Sequence, residues 1–199
     1  FLSGLDAAAL YAFLAFTNPE RYIEVGSGNS TKFARRAIRD HGLRTRIVSI
    51  DPRPRADIDS IADQVISRPL EDSDLSLVRS LSAGDILFID GSHRCFTNSD
   101  VTVTFLEILP RLSAGVRVHF HDIFLPYDYP PGWADRYYSE QYVLGAYLLG
   151  GANRVRVLLP NSYVSHDPEL RQILDPIWDQ PRMRGVDRHG CSFWLEITG

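Results

Sequence analysis

The stretch Arg21-Tyr-Ile-Glu-Val-Gly-Ser-Gly-Asn-Ser-Thr31 decides how this chain folds. A short apolar run, Tyr22 to Val25, follows Arg21 and holds the acid Glu24, and glycines follow at 26 and 28. Ser30 and Thr31 then offer N-caps for the amphipathic segment Lys32 to Arg39. A strand, a tight glycine turn and a helix are how α/β folds bring backbone close to a nucleotide-like ligand. A second apolar run, Ile47 to Ile50, ends in Asp51, an acid placed to hold the two hydroxyls of a ribose. Together the two runs predict an adenosine-containing cofactor.

The same turn narrows the choice of cofactor. A dinucleotide fingerprint needs G-x-G-x-x-G, and Thr31 stands where the third glycine belongs. A P-loop needs G-K-[ST], which does not follow. What remains is an acid two residues before the first glycine, Glu24-Val-Gly26-Ser-Gly28. A pyrophosphate wants helix N-terminal N–H groups and no nearby anion. A ligand carrying an ammonium is complemented by such an acid.

Outward from the turn, strands and helices alternate. Strands are expected over 21–25, 46–50, 64–67, 85–89, 116–120, 154–159 and 191–197. Helices are expected over 2–16, 30–40, 56–62, 73–81, 98–109, 138–149 and 168–178. Runs apolar on both faces, such as Ile86-Leu-Phe-Ile89, are the signature of buried parallel strands. The pattern predicts an α/β fold: a Rossmann-like, doubly wound, mostly parallel seven-stranded sheet with helices on both faces. One domain over 1–199 is expected, with an N-terminal helical part (1–19) and a lid and helix over 124–150. Ligands bind such sheets at the carboxyl ends of the strands.

Composition sets the outer limits. The 199 residues are 44% hydrophobic and 23% charged, with a net charge of −4. Such a mild charge points to no nucleic-acid partner. No apolar run reaches the roughly 18 residues of a membrane span, so no membrane partner is expected. Lys32 is the only lysine, and the many arginines are scattered, which reads as base composition. Cys95 and Cys191 form neither a metal spacing nor a disulfide framework. A cytoplasmic location follows as the default.

Further motifs carry a family likeness. Glu24-Val-Gly26-Ser-Gly28 resembles the first motif of class I S-adenosylmethionine-dependent methyltransferases. Ile47-Val-Ser-Ile-Asp51 looks like their second strand, and Asp85-Ile-Leu-Phe-Ile-Asp-Gly-Ser-His93 like their fourth with its turn. Leu109 to Gly115 looks like the turn before their fifth strand, and Val118-His-Phe-His-Asp-Ile123 like that strand's end. The chain is similar to a branch related to cephalosporin-hydroxylase-like and macrocin O-methyltransferase-like proteins. The likeness covers about residues 20–125. Beyond it, His121 to Pro130 and Ser192 to Leu195 resemble segments of bacterial members.

The resemblance implies that S-adenosyl-L-methionine is held by Glu24, Gly26, Gly28, Asn29, Ser30, Asp51 and Asp90. It implies transfer to a hydroxyl of a small-molecule acceptor, with His93, His121 and Asp90 as catalytic candidates. Histidine takes up protons near neutral pH, and a bound cation lowers a hydroxyl's pKa. Relatives place a divalent cation on positions matching Asp90, His121 and Asp122. The histidine departs from their pattern, because nitrogen suits Mg²⁺ poorly and favours a transition metal. His119 is read as a satisfied buried histidine, and Asp100 as an acid favoured at a helix start. The loop Phe124 to Asp135 and the segment Tyr137 to Tyr142 are read as acceptor walls, with Tyr138 and Tyr142, four apart, as a core stripe. Arg53 and Arg55 are read as solvated. A metal-dependent oxygenase on the same scaffold, a non-catalytic cofactor-binding protein and self-association stay open.

Overall fold

A computed structural model describes residues 2–54, 57–150 and 153–199. The chain opens with helix α1 (Gly4–Thr17), then alternates β1 (Arg21–Val25), α2 (Asn29–His41), β2 (Arg46–Ile50) and β3 (Gln64–Ile66). There follow α3 (Ser76–Arg79), β4 (Ile86–Ile89), α4 (Asp100–Val103), β5 (Arg117–Phe120) and α5 (Glu140–Leu149). The last part holds β6 (Val155–Pro160), α6 (Asn161–His166), α7 (Pro168–Ile173), α8 (Asp175–Trp178) and β7 (Phe193–Ile197). The seven strands form one sheet in the order β3-β2-β1-β4-β5-β7-β6. β7 runs antiparallel between β5 and β6, and the five strands from β3 to β5 are parallel. This is the doubly wound, mostly parallel sheet that the sequence pattern predicts. No helix among the described residues is long and apolar enough to cross a membrane.

Side-chain parity sorts the strands' residues between two cores. Ile23 and Val25 of β1, Leu87 and Ile89 of β4, and Val118 and Phe120 of β5 pack on the side of α4 and α5. Tyr22, Ile47, Ile86 and Phe88 pack on the opposite side, with Leu10 and Leu14 of α1 and Ala34 and Ile38 of α2. By the same two-residue period, Glu24, His119 and His121 belong to the α1–α2 side. That parity decides the site.

Four helical expectations change. Over 57–62 there is only a turn, with the N–H groups of Ile61 and Ala62 donating to the Ile58 carbonyl; Arg55 and Ala56 lie outside the described residues. Asp63, next in the chain, accepts from Ile47 N at 2.7 Å and pairs with Arg35, which draws the segment into an extended approach to β3. The segment 73–81 is helical only over Ser76–Arg79. The expected helix over 98–109 starts after Ser99, whose Oγ accepts from Thr102 N. It then widens to a π turn over Thr104–Ile108 and tightens over Leu109–Arg111, where Pro110 has no N–H to continue the ladder. The expected helix over 168–178 splits into α7 and α8 at Pro176, and α6 precedes them unforeseen.

Candidate active site

β1, β2 and β4 end at a cavity of about 380 Å³, within the roughly 300–1,000 Å³ usual for ligand clefts. Val25, Gly26, Ser27, Ile50, Asp51 and Asp90 line it, with Leu70, Glu71, Phe96 and Asp100 opposite. It opens at the switch in strand order, between β1 and β4. Gly26 has φ +81°, and a Cβ there would lie 1.9 Å from the Asp90 carbonyl oxygen. Only glycine lets the two strand ends approach so closely.

The expected cofactor residues divide into two groups. Gly26, Asp51 and Asp90 line the cavity. Gly28, Asn29 and Ser30 begin α2 and are not among its lining residues. Glu24 does not face the cavity, because parity turns it toward α2. Its carboxylate is fully buried and accepts from Thr31 Oγ1, from Ser30 Oγ at 2.9 Å and from Tyr22 Oη at 3.2 Å. Burial pushes its carboxyl up to about 7, although the three hydroxyls favour the charged form. The acid of the first motif fastens the turn to the helix. Asp51 in turn accepts from Ser27 N at 2.8 Å, Ser27 Oγ at 3.0 Å and Arg53 N at 2.7 Å, which fixes its carboxylate at the cavity wall.

Asp90 is the one expected catalytic residue that reaches the cavity; its side chain is about a quarter exposed. His93 and His121 lie buried behind it. His93 Nε2 faces Asp90 Oδ1 at 3.2 Å and Asp122 Oδ2 at 3.6 Å, while Nδ1 is 2.8 Å from Glu140 Oε2. Burial alone would lower the His93 pKa, but Asp90 and Glu140 outweigh it and hold it well above the ordinary value. Burial likewise opposes ionisation of Asp90, yet His121 and His93 hold its carboxyl below the usual carboxylate range. His93 and Asp122 both adopt left-handed backbone, at φ 59° and 55°, and face each other across this cluster. Such conformations persist where the surrounding contacts over-determine them.

Of the expected cation ligands, His121 Nδ1 lies 3.0 Å from Asp122 Oδ1 and 3.8 Å from Asp90 Oδ1, but the three do not offer ligand atoms all within 4.8 Å of one another. The His93 imidazole contacts both carboxylates. Among the described residues, the only trio with ligand atoms all within 4.8 Å of one another is Asp6, His121 and Cys191. The donor arrangement therefore does not fit a cation shared by Asp90, His121 and Asp122. His119 is a buried histidine as expected: Nε2 is 2.7 Å from Ser192 Oγ, its ring stacks on Phe88 at 3.7 Å, and burial pushes its pKa well below the ordinary value.

Beside the cluster lies an aromatic basin of about 570 Å³, lined by Tyr129, Trp133, Tyr137, Tyr138 and Tyr142, with Asp128 among them. Tyr138 and Tyr142 thus line an open basin instead of filling a core. Tyr142 Oη donates to Asp128 Oδ1 at 2.6 Å, and the Arg136 guanidinium lies 3.8 Å over the Trp133 ring. The turn after β4 links the two, lining the cavity and touching residues at the back of the basin. Asp90 and Ser92 face the cavity, His93 contacts the Tyr138 ring at 4.6 Å, and Arg94 Nε donates to the Arg136 carbonyl at 2.8 Å. Asp100 fixes that turn by accepting from Ser92 N at 2.6 Å, a larger role than a helix-start acid.

Sequence reasoning passed over Phe96 and Asp6, and reached Ser27 and Glu140 only as members of the stretches 24–30 and 137–142. Glu140 carried a usable signal, being an acid at the first position of a helix next to the tyrosine-rich loop. Asp6 carried none, because apart from Ser3 its partners lie more than 100 residues away.

A sheet ordered in this way, with a reversed seventh strand and a glycine turn over a cavity at its carboxyl edge, defines the class I methyltransferase fold. The chain belongs to the methyltransferase domain family, whose model matches residues 23–123. Solved structures share the fold. The O-methyltransferase TomG of Streptomyces achromogenes, crystallised with SAM, is 16% identical at a TM-score of 0.56, covering 100% of this chain and 82% of its own. An O-methyltransferase from Bacillus cereus, in complex with SAH, is 14% identical at 0.56, with 100% and 83% covered. The SAH-bound Podospora anserina methyltransferase PaMTH1 is 20% identical at 0.55, with 80% and 75% covered. Comparison with curated proteins gives no match.

Proposed function

We propose that this S-adenosylmethionine-dependent methyltransferase methylates a hydroxyl of a small molecule seated against the aromatic basin. The observation that carries the reading is the turn 90–94, which lines the cavity through Asp90 and Ser92 and touches the basin's Tyr138 through His93. Bound S-adenosylmethionine supplies an electrophilic methyl group. Asp51 is suited to a ribose diol, Val25, Ile50 and Leu70 to the faces of a purine, and Asp90 to the cationic end. The structural neighbours crystallised with SAM or SAH, two of them O-methyltransferases, support the donor and the oxygen acceptor.

Methyl transfer is an in-line displacement, so the first requirement is alignment. The basin's rings and the 90–94 turn would set the acceptor's angle. Asp90 accepts the acceptor's O–H and takes its proton as the O–CH3 bond forms and the sulfur–methyl bond breaks, then releases it to solvent through the cavity. The protonated His93, held by Glu140, keeps Asp90 ionised beforehand. His121 sets the charge of Asp90 from the other side and is a positioning residue. No step is routed through a metal ion. Two unpaired cysteines, Cys95 and Cys191, accord with a reducing, cytoplasmic setting.

Calorimetry with S-adenosylhomocysteine tests the donor site. Binding is expected, weakened at least about tenfold in Asp51→Asn, as loss of a charged hydrogen-bond acceptor implies. No binding by the wild-type chain would sink the reading. A methyl-transfer screen over phenols and sugar-like alcohols then identifies the acceptor.

A further inference from the structure

We propose that Asp6, His121 and Cys191 form a binding site for a zinc-like dication, separate from the cofactor cavity. The three residues come from α1, the end of β5 and the approach to β7, so no sequence spacing announces them. Asp6 Oδ2 lies 3.6 Å from His121 Nε2 and 3.5 Å from Cys191 Sγ. A tetrahedral ion with bonds of about 2.0–2.3 Å has ligand–ligand edges of about 3.3–3.8 Å. Both measured edges fall in that range.

A second observation points the same way. His121 is 1% exposed, and among the described residues its Nε2 has no hydrogen-bond partner. A buried, unpartnered ring nitrogen 3.6 Å from a carboxylate, in a trio whose ligand atoms lie within 4.8 Å of one another, is where a metal bond belongs. The opposite nitrogen, Nδ1, lies 3.0 Å from Asp122 Oδ1 but makes no hydrogen bond there, and the Cys191 thiol donates to that same oxygen at 3.3 Å.

The Asp6 carboxylate is also held in place. It accepts from Ser3 Oγ at 2.6 Å, Asn161 Nδ2 at 2.7 Å, Ser192 N at 2.8 Å and Cys191 N at 3.0 Å. These contacts orient the oxygen without supplying a cation.

Donor chemistry selects the ion. Carboxylate, imidazole and thiolate together suit Zn²⁺ or a neighbouring transition metal. Mg²⁺ and Ca²⁺ take oxygen ligands and would leave the thiol aside. On binding, a metal–sulfur bond forms, the S–H bond breaks and its proton leaves to solvent; nothing is oxidised or reduced. Carboxylate and thiolate balance the two charges, the imidazole stays neutral, and water completes the tetrahedron. The site would pin α1 against the ends of β5 and β7, and it does not depend on the methyl-transfer reading.

The test uses the full chain carrying Cys95→Ala, which removes the exposed second thiol. Chelator-stripped protein is titrated with Zn²⁺ and, separately, with Co²⁺. The expected results are one equivalent of zinc retained through desalting and a thiolate-to-cobalt charge-transfer band. Adding Cys191→Ala should abolish the band and weaken zinc binding at least tenfold, while Asp90→Asn should leave both unchanged. Absence of stoichiometric zinc and of the band in the Cys191-containing protein overturns the site, and needs no further variant to fold. Zinc lost in Asp90→Asn and kept in Cys191→Ala also overturns it, by moving the ion to the cavity edge.

Discussion

The cavity over β1, β2 and β4 and the aromatic basin over 124–142 share one turn, yet they are built on different principles. The cavity is made of strand ends: Val25, Ile50 and Asp90 stand there because parallel strands in register must end together. The basin is made of a loop whose rings hold one another, Phe124 against Trp133 at 5.3 Å and Tyr129 against Tyr142 at 5.6 Å. One region is fixed by backbone geometry and the other by side-chain packing. Substitutions in the first should therefore affect folding and donor binding, and those in the second the acceptor alone.

The sharpest way to break the contrast is at the two glycines. Gly26→Ala forces a Cβ into the Asp90 carbonyl at a positive φ, and should cost about 3 kcal/mol or more in denaturant melts. A Cβ at Gly28 meets nothing within 4 Å, so Gly28→Ala should cost well under half as much. Equal losses would mean that the close approach of β1 and β4 is not what holds the edge.

Glu24 offers the next largest effect. Burial holds its folded pKa at about 7, above the ordinary value of 4.5. A raised folded pKa means that its stabilising contribution is complete below about 4.5 and is lost as pH rises toward about 7. Glu24→Gln removes that loss, so the variant should gain on the wild type across this window by about 3 kcal/mol, an order-of-magnitude figure. A stability difference independent of pH would show that Glu24 is not held as described.

Two substitutions sharpen the division of labour. Trp133→Ala should raise the acceptor KM about tenfold, the loss of roughly one aromatic contact, and leave S-adenosylhomocysteine affinity unchanged. Asp51→Asn should do the reverse. Coupled losses in either variant would merge the two regions into one. The smallest expected effect is electrostatic: Glu140→Gln should lower the His93 pKa, followed by imidazole resonances in an NMR titration, because Glu140 is one of the two acids that raise it. No movement would detach α5 from the cluster.

Much of the cavity was legible because it obeys short-range rules. Apolar runs ended at Val25, Ile50 and Ile89, and an acid or glycine followed each, so Gly26, Asp51 and Asp90 could be placed before any coordinates. The same two-residue period that pairs His119 with His121 also turns Glu24 toward α2, a contact that its place beside the glycines does not announce. The Asp6, His121 and Cys191 cluster was closed to sequence reading, because its spacing exists only after β7 inserts beside β5. The helices at 56–62 and 168–178 were misjudged where Asp63 and Pro176 overruled apolar periodicity.

The segment from Phe124 to Leu149 leaves the sheet after β5 and returns before β6 without contributing a strand. Such an excursion is a natural cassette: grafting the corresponding stretch from another family member should transplant acceptor preference onto an unchanged donor half. The contact of Glu140 with His93 sets the condition on the graft. A donor sequence must bring an acid in register with position 140, or the chimaera will inherit a new pocket above an unsupported histidine.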